Sequence, residues 1–361
     1  MPKDETFWNP YRLIPVQDTI SKKRPLTDEK FRANSGRIYC TIENLTPLFI
    51  GGNRNNSQQF LISNGKHIIP GSSLKGMLRS LAEIIGGGCS VTDSNGQFNR
   101  TYTACNKVDS LCVTCRMFGM MERGRGARVH KGKIFISDAL TREEKPETKL
   151  FDVQLFSHGT RHEPFYRTPQ TGRLDGKSRK FYFHQPKRKN SALEPTNIQK
   201  FVDKKNAILP GCQFEFEIDF VSLEKFELEL LVYILALEEN VDVIIEDGKI
   251  PLKGPMRHKL GYAKPLGLGS CRIDLNKIEY FAAPAERFSS LGQTENIVYE
   301  RDALKTLIKT LTHRFVSDTS TTMQQLRKMM VWDENDPRDF AYPKNHWFNN
   351  ASNSEKALKH I

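Results

Sequence analysis

Apolar positions recur along the chain in two periods, and the change from one to the other marks out the elements. Arg37-Ile38-Tyr39-Cys40-Thr41-Ile42-Glu43-Asn44 is rich in β-branched and aromatic residues and predicts a first strand. Leu74, Leu78, Leu81 and Ile85 then recur at helical spacing. They predict a helix with one buried stripe, capped by Ser72 or Ser73 and ended by Gly86-Gly87-Gly88. The same logic returns later. Phe214, Phe216, Ile218 and Phe220 alternate with Glu215, Glu217 and Asp219, the mark of a half-buried strand. Ser222 begins a helix with Leu223, Phe226, Leu230, Ile234 and Leu237 as its apolar positions. Cys271, Ile273 and Leu275 alternate with Arg272 and Asp274 in another strand. Strand–helix units that return to one sheet predict an α+β fold, antiparallel or mixed, of ferredoxin-like type. Residues 297–331 read as helical, with Leu304, Ile308, Leu311 and Phe315 on one face.

These patterns divide the chain. Residues 1–35 are polar and proline-punctuated and read as an extended arm. The core segments are 36–86 and 211–285. Between them lie two insertions, 87–145 and 146–210, and a compact domain rarely carries such long irregular segments without a use. Residues 286–361 form a helical region with a polar tail from Asn349. Charge adds direction: the net +12 and pI near 9.3 favour a polyanionic partner. No stretch reaches the roughly 18 apolar residues of a membrane span, and Met1-Pro2-Lys3-Asp4-Glu5 lacks a signal core.

Seven cysteines is an odd number, which points to metal binding in a reducing cytoplasm rather than a disulfide framework. Cys89, Cys105, Cys112 and Cys115 lie in the first insertion. Cys112-Val113-Thr114-Cys115 has the spacing at which two thiolates chelate one ion. Four thiolates close a tetrahedral zinc shell and leave no position for a reactive water, so such a site is structural. His67 or His130 can replace Cys89, and four ordinary thiols are the simpler alternative. Cys40, Cys212 and Cys271 sit in strand-like contexts and read as core.

Two glycine-bearing turns suggest phosphate cradles. Ile69-Pro70-Gly71-Ser72-Ser73-Leu74-Lys75-Gly76 opens a helix, whose N-terminal amides attract anions, with Lys75 and Arg79 sharing the exposed face. A well-capped surface helix is the plain alternative. Gly261-Tyr262-Ala263-Lys264-Pro265-Leu266-Gly267-Leu268-Gly269 precedes a strand. Gly267 and Gly269 permit unusual backbone and close approach, with Lys259 and Lys264 beside them. Two basic segments lie between. Lys177, Arg179, Lys180, Tyr182 and His184 interleave cations with rings around Phe181 and Phe183, which suits phosphates and splayed bases and also suits a strand buried on one face. Arg116, Arg123, Arg125 and Arg128 form a second run beside the cysteines.

Taken in order, these pieces resemble the RAMP superfamily of CRISPR-associated proteins. The matching runs are Leu48-Phe49-Ile50-Gly51-Gly52, the Pro70–Gly76 turn with Arg79, Arg116-Met117-Phe118-Gly119, Ile134-Phe135-Ile136-Ser137-Asp138-Ala139, Leu209-Pro210-Gly211 and Gly267-Leu268-Gly269-Ser270-Cys271-Arg272-Ile273. Phe7-Trp8-Asn9-Pro10-Tyr11 and the Arg179–His184 stretch resemble a zinc-bearing branch near type III-D, which shares ancestry with type VII. The resemblance implies a backbone subunit that polymerises along guide crRNA. It implies a ferredoxin-like (RRM-like) palm, a thumb hairpin in 146–210 that kinks the guide–target duplex, and C-terminal helices. Its implied partners are crRNA, complementary target RNA, further copies of itself head to tail, a capping RAMP subunit and a separate nuclease.

One departure bears on catalysis. Cleaving relatives carry an aspartate in the loop after the first strand, whereas Gly51-Gly52-Asn53-Arg54-Asn55-Asn56-Ser57-Gln58-Gln59 has no carboxylate. Asparagine cannot act as a base or give a metal a full charge. The expectation is a scaffold without a nuclease centre. The alternatives are a Mg²⁺-dependent endoribonuclease using Asp18 or Asp152 from elsewhere, and a guide-processing ribonuclease with His158, His162 or His184 as base.

Overall fold

A computed structural model describes residues 8–17, 20–26, 34–52, 57–90, 103–155, 162–167, 178–188, 202–282, 296–343 and 345–358. The first half runs β1 (Tyr11–Pro15), β2 (Gly36–Asn44), β3 (Ile62–Ser63), β4 (Lys66–Ile69), α1 (Gly71–Ile85) and α2 (Val113–Phe118). Short strands follow: β5 (Met120–Met121), β6 (Val129–His130), β7 (Ile134–Ile136), β8 (Ala139–Thr141), β9 (Thr148–Gln154), β10 (Ser178–Tyr182) and β11 (Val202–Ile208). The second half runs β12 (Gln213–Phe220), α3 (Lys225–Ala236), β13 (Val241–Ile245), β14 (Ile250–Gly254), β15 (His258–Lys259), β16 (Ser270–Tyr280) and β17 (Ile297–Glu300). Helices α4 (Arg301–Val316), α5 (Thr321–Met330) and α6 (Asn345–Asn349) close the chain. No helix among the described residues is long and apolar enough to cross a membrane.

The fold is α+β around an antiparallel sheet of order β15-β16-β2-β12-β8-β4-β3, with β17 beside β16 and β7 beside β12. Register follows the period-2 pattern. Ile42 faces Phe214 and Ile273, and Ile38 faces Ile218 and Ile278, all buried. These side chains join Leu74, Leu78 and Leu81 of α1 and Leu230 and Ile234 of α3 in one core. The opposite, open face is polar, because alternate residues point away from the core. Arg37 pairs there with Glu217 at 2.7 Å and Asp219 at 2.6 Å, and Arg272 with Glu43 at 2.9 Å and Asp274 at 3.0 Å.

Helix α1 begins ahead of both serines. Gly71 is its first residue, and a Cβ there would stand 2.2 Å from the Ile136 carbonyl oxygen, so only glycine lets the helix abut β7. The cap comes from far away in sequence: the Gly71 N–H donates to Asp138 Oδ1 at 2.7 Å. Ser72 and Ser73 therefore lie inside the first turn and do not cap it. Likewise α3 is capped by Glu224 and Glu227 as a capping box, not by Ser222. The stretch expected to be helical over 297–331 opens as β17 and breaks at Ser317–Ser320, where the Ser320 hydroxyl accepts the Met323 N–H at 3.4 Å. Within the segment read as an arm, β1 pairs antiparallel with β10, and Ile14 and Val16 are buried in the main core. Strands β9 and β11 pair antiparallel as a separate ladder, seated through Phe151, Val153 and Ala207 on Phe49, Leu266 and Leu268.

Three charged residues meet inside this core. Glu227 is wholly buried, and its carboxylate accepts from Arg116 at 2.8 Å and from Lys133, itself 1% exposed, at 2.8 Å. The Glu224 N–H adds a bond of 3.1 Å. Burial pushes Glu227 up, but Lys133, Glu224 and Arg116 outweigh it and hold the carboxyl below its usual range. We expect Glu227→Ala, which strands two buried cations, to cost about 3–5 kcal/mol in urea unfolding. Because the folded carboxyl titrates below the unfolded one, the wild-type contribution is present at neutral pH and is lost as pH falls through the folded-state value. A stability profile of Glu227→Ala that parallels the wild type into acid would contradict this.

Candidate nucleic-acid interface and metal centre

The residues proposed as RNA contacts fall into three groups. The first lies on α1. Ser72, Gly76 and Ser80 are exposed along its outer ridge, with Ser73 and Met77 half-buried beside them. A Cβ on Gly76 would meet nothing within 4 Å, so the chain itself does not need glycine there. A mid-helix glycine costs about 1 kcal/mol relative to alanine. Lys75 is half-buried, its Nζ 3.5 Å from the Ile134 carbonyl oxygen, and burial together with Arg79 lowers its pKa. Arg79 does not share an open face with it. Its guanidinium bonds Glu83 at 3.2 Å, the Gly119 carbonyl at 3.3 Å and Cys115 Sγ at 3.5 Å.

A second group surrounds a cavity of about 110 Å³ on the other flank of α1, between the helix, β10, β15 and the turn at Lys264–Leu266. Lys180, Tyr182, Lys259 and Lys264 line it together with Arg257. Lys180 sits 3.7 Å over the Tyr11 ring and donates to the Tyr166 hydroxyl at 3.3 Å. Its neighbour Arg179 turns the other way, to Glu83 at 3.4 Å. Glu83 thus joins Arg79 to Arg179 across α1, and burial, stronger than the two arginines, raises its pKa. Lys177 lies outside the described residues.

The third group is exposed on the turn between β5 and β6. Arg123 and Arg125 face solvent, whereas Arg128 pairs with Glu122 and Asp109, both at 2.8 Å.

Three expectations are corrected by burial. Arg116 is 4% exposed and bonds Glu227 and the Leu111 carbonyl inside the core, so it does not face a strand outside. His184 is buried on the far side of its strand: Nε2 donates to the Arg257 carbonyl at 2.9 Å, and Nδ1 therefore accepts the Ser270 hydroxyl at 2.9 Å. Burial, with Lys259 next, drives its pKa well below the ordinary value, so it suits neither an RNA contact nor a general base. Gly267 and Gly269 take positive φ of 97° and 79°, but the space above each is filled by the chain itself. A Cβ on Gly267 would meet Arg188 at 2.8 Å, and one on Gly269 would meet the Leu260 carbonyl oxygen at 1.8 Å. Their role is the tight turn and close chain packing. Of the other candidates, His162 bonds the Lys356 carbonyl at 2.8 Å, and His158, Asp18 and residues 53–56 lie outside the described residues.

The metal centre is the best-defined constellation. The Sγ atoms of Cys89, Cys105, Cys112 and Cys115 all lie within 4.8 Å of one another, and all four residues are buried. A Zn–S distance of about 2.3 Å implies tetrahedral S···S separations of about 3.8 Å, so the four sulfurs can surround one ion. Backbone amides support them. Cys89 N–H donates to Cys112 Sγ and Cys105 N–H to Cys89 Sγ, both at 3.4 Å, and Cys112 N–H donates to Cys105 Sγ at 3.3 Å. Cys112 stands at the N-terminus of α2, where the helix dipole favours negative charge. Hydrogen bonds from Cys105 and its neighbours hold the Cys112 thiol low and push Cys115 up, a conflict that one cation shared by four thiolates removes. Cys89 completes the set, and neither His67 nor His130 is required.

Several participants carried no sequence signal of their own: Asp138 as the cap of α1, Glu83 as the link across it, and Arg257 and Ser80 at the cavity. The order of the motifs did bring Asp138 into the same framework as Gly71.

The antiparallel α+β fold thus brings together a glycine-entered helix, a cation-lined cavity and four buried cysteines that could hold a metal ion. A family model described as the RAMP superfamily matches residues 41–271, more than half of the chain. The chain belongs to the RAMP superfamily, whose members serve CRISPR systems as RNA-binding subunits of larger complexes. No curated protein matches the chain.

We expect elemental analysis to find one metal ion per chain and almost none in Cys112→Ser. Arg79→Ala, which removes the outer partner of Cys115, should weaken metal retention against a chelator by about 10- to 100-fold. Full metal content in Cys112→Ser would refute the site.

Proposed function

We propose that this protein is a crRNA-binding backbone subunit of a CRISPR RNA-targeting effector complex. The observation that carries the reading is Gly76: a costly mid-helix glycine on an exposed ridge between Ser72, Ser73 and Ser80, with nothing over it among the described residues. The space fits a backbone that approaches α1 closely. Lys75, Lys180 and Lys264 supply charge along its flanks, and Arg123 and Arg125 reach out from the turn beside the cysteine centre.

The topology supports the rest. With β2, α1, β8, β12, α3 and β16 taken in order, the sheet order β16-β2-β12-β8 is that of a ferredoxin-like palm. The β9–β11 ladder is the base of the thumb insertion. The four cysteines hold zinc, which staples an insertion with little core of its own. Copies stack head to tail along the guide with a capping RAMP subunit at the end, as in the type III-D and type VII branch. The lack of a carboxylate in residues 51–59 supports a scaffold whose target RNA is cut by a separate nuclease rather than by Mg²⁺ held here. Such complexes work in the cytoplasm, where the guide and its target are.

Salt titration of RNA affinity tests the interface. Each phosphate contact removed should lower the slope of log K against log salt by about 0.7–0.9. We expect the triple variant Lys75→Ala, Arg123→Ala, Arg125→Ala to flatten the slope by about two. An unchanged slope would overturn this placement of the RNA, and regularly spaced cuts in complementary RNA without any added nuclease would overturn the scaffold role.

A further inference from the structure

The cavity beside α1 has an unusual inventory. Its basic wall holds Lys180, Arg257, Lys259 and Lys264, its apolar wall includes Met77 and Phe181, and no carboxylate among the described residues lines it. Two of the cations are already answered elsewhere. Arg257 is held bidentately by Glu239 at 2.9 and 3.1 Å, and Lys180 rests on its tyrosines. The other two are not. Lys259 Nζ donates only to neutral groups, Ser270 Oγ at 3.0 Å and the Gly267 carbonyl at 3.3 Å. Lys264 makes no side-chain hydrogen bond or ion pair to any described residue, although it is only partly exposed. Two enclosed amines without an acid are costly unless an anion joins them. At roughly 30 Å³ for each water, the cavity of about 110 Å³ holds three or four waters, room enough for one phosphate group.

We propose that this cavity is a proton-coupled phosphate subsite, in which one phosphodiester of the bound strand sits between Lys259 and Lys264 and its arrival completes their protonation. The inference rests on the RNA-binding reading above and adds a regulated contact to it. Among the described residues that line the cavity, every charged group is a cation. Arg257, just before β15, and His258 within it add positive or neutral character, as do Lys180 and His184 from the β10 segment, where the Tyr182 ring also lines the cavity. From β16 only Cys271 faces the pair, and its thiol is pushed up by burial to about 12, so it stays neutral. Helix α1 and Met330 of α5 bring no charge. Burial accordingly lowers Lys259 to about 7 and lowers Lys264 as well. His184 cannot take the proton, because its Nε2 proton is held by the Arg257 carbonyl and its Nδ1 by Ser270. A phosphodiester near the pair favours the charged amine. Binding therefore takes up a proton above neutrality, and affinity falls as pH rises. One coupled proton sets a limit of about tenfold per pH unit.

The test measures binding of a single-stranded RNA by the full chain from pH 6 to 9 at constant ionic strength, by fluorescence anisotropy. We expect affinity to fall steadily above pH 7 in the wild type. Lys259→Met should flatten the profile, with its pH 6 affinity reduced to the wild-type value near pH 9, and Lys264→Met should weaken binding at pH 6. In case either variant fails to fold, ¹³C-lysine NMR on the wild type gives a second readout. The Lys259 Cε resonance should titrate near neutrality in the free protein and well above it in the RNA complex. An identical pH profile in Lys259→Met, or a Lys259 resonance unmoved by RNA, would overturn the subsite while leaving RNA binding intact. Inorganic phosphate alone moving that resonance as far as RNA does would put a free anion there and overturn the proposal too. Absence of RNA binding at every pH would overturn the underlying reading together with the subsite.

Discussion

The carboxylate of Glu227 is the point on which the architecture closes. It is buried at the start of α3, and it answers one cation from α2 and another from the segment leading into β7. Neither Arg116 nor Lys133 can reach water, so neither can be desolvated without it. The arrangement gains less in net stability than its bonds suggest, since all three charges lost their hydration. What it secures is register. An arrangement of the cysteine-bearing insertion, the sheet and α3 that separates these three groups leaves a charge in the core without a counterion.

From that anchor the structure extends outward through α1. Arg79 touches Cys115, Glu83 touches Arg79 and Arg179, and the residue after Arg179 lines the cavity. The four-cysteine cluster on one flank of the helix and the basic cavity on the other are therefore connected by three side chains in series. The centre has no reactive position of its own when four thiolates fill it. Its contribution is to hold α2 and the Gly119 carbonyl where Arg79 needs them.

Where periodicity was strong, the sequence could be read. The alternation in Gln213–Phe220 and the helical stripe of α1 gave the right elements and the right buried faces, and four cysteines in one insertion converged as their number implied. Misplaced features share a cause: their partners are distant in sequence. Ser72 looked like a cap because it is adjacent, whereas Asp138 lies 67 residues on. Arg116 looked like part of a basic run, whereas its carboxylate lies 111 residues on. His184 shared the alternation of its strand but falls just past the last residue of β10, where the chain turns inward. Gly267 and Gly269 were correctly seen to need glycine, but the neighbour that demands it is the protein's own chain.

The open face of the sheet has a consequence for orientation. Glu43, Glu215, Glu217, Asp219, Asp274 and Glu279 stand on it in register, and Arg37, Arg142, Arg272 and Lys277 are spent neutralising them. A polyanion gains nothing by lying across that surface, although folds of this shape have their most accessible platform there. The molecule is thus electrically two-sided: an overall basic protein with one large sheet face on which acidic residues outnumber their basic partners. If the strand lies along the helical flank as proposed, the other side stays available for contacts that do not compete with it.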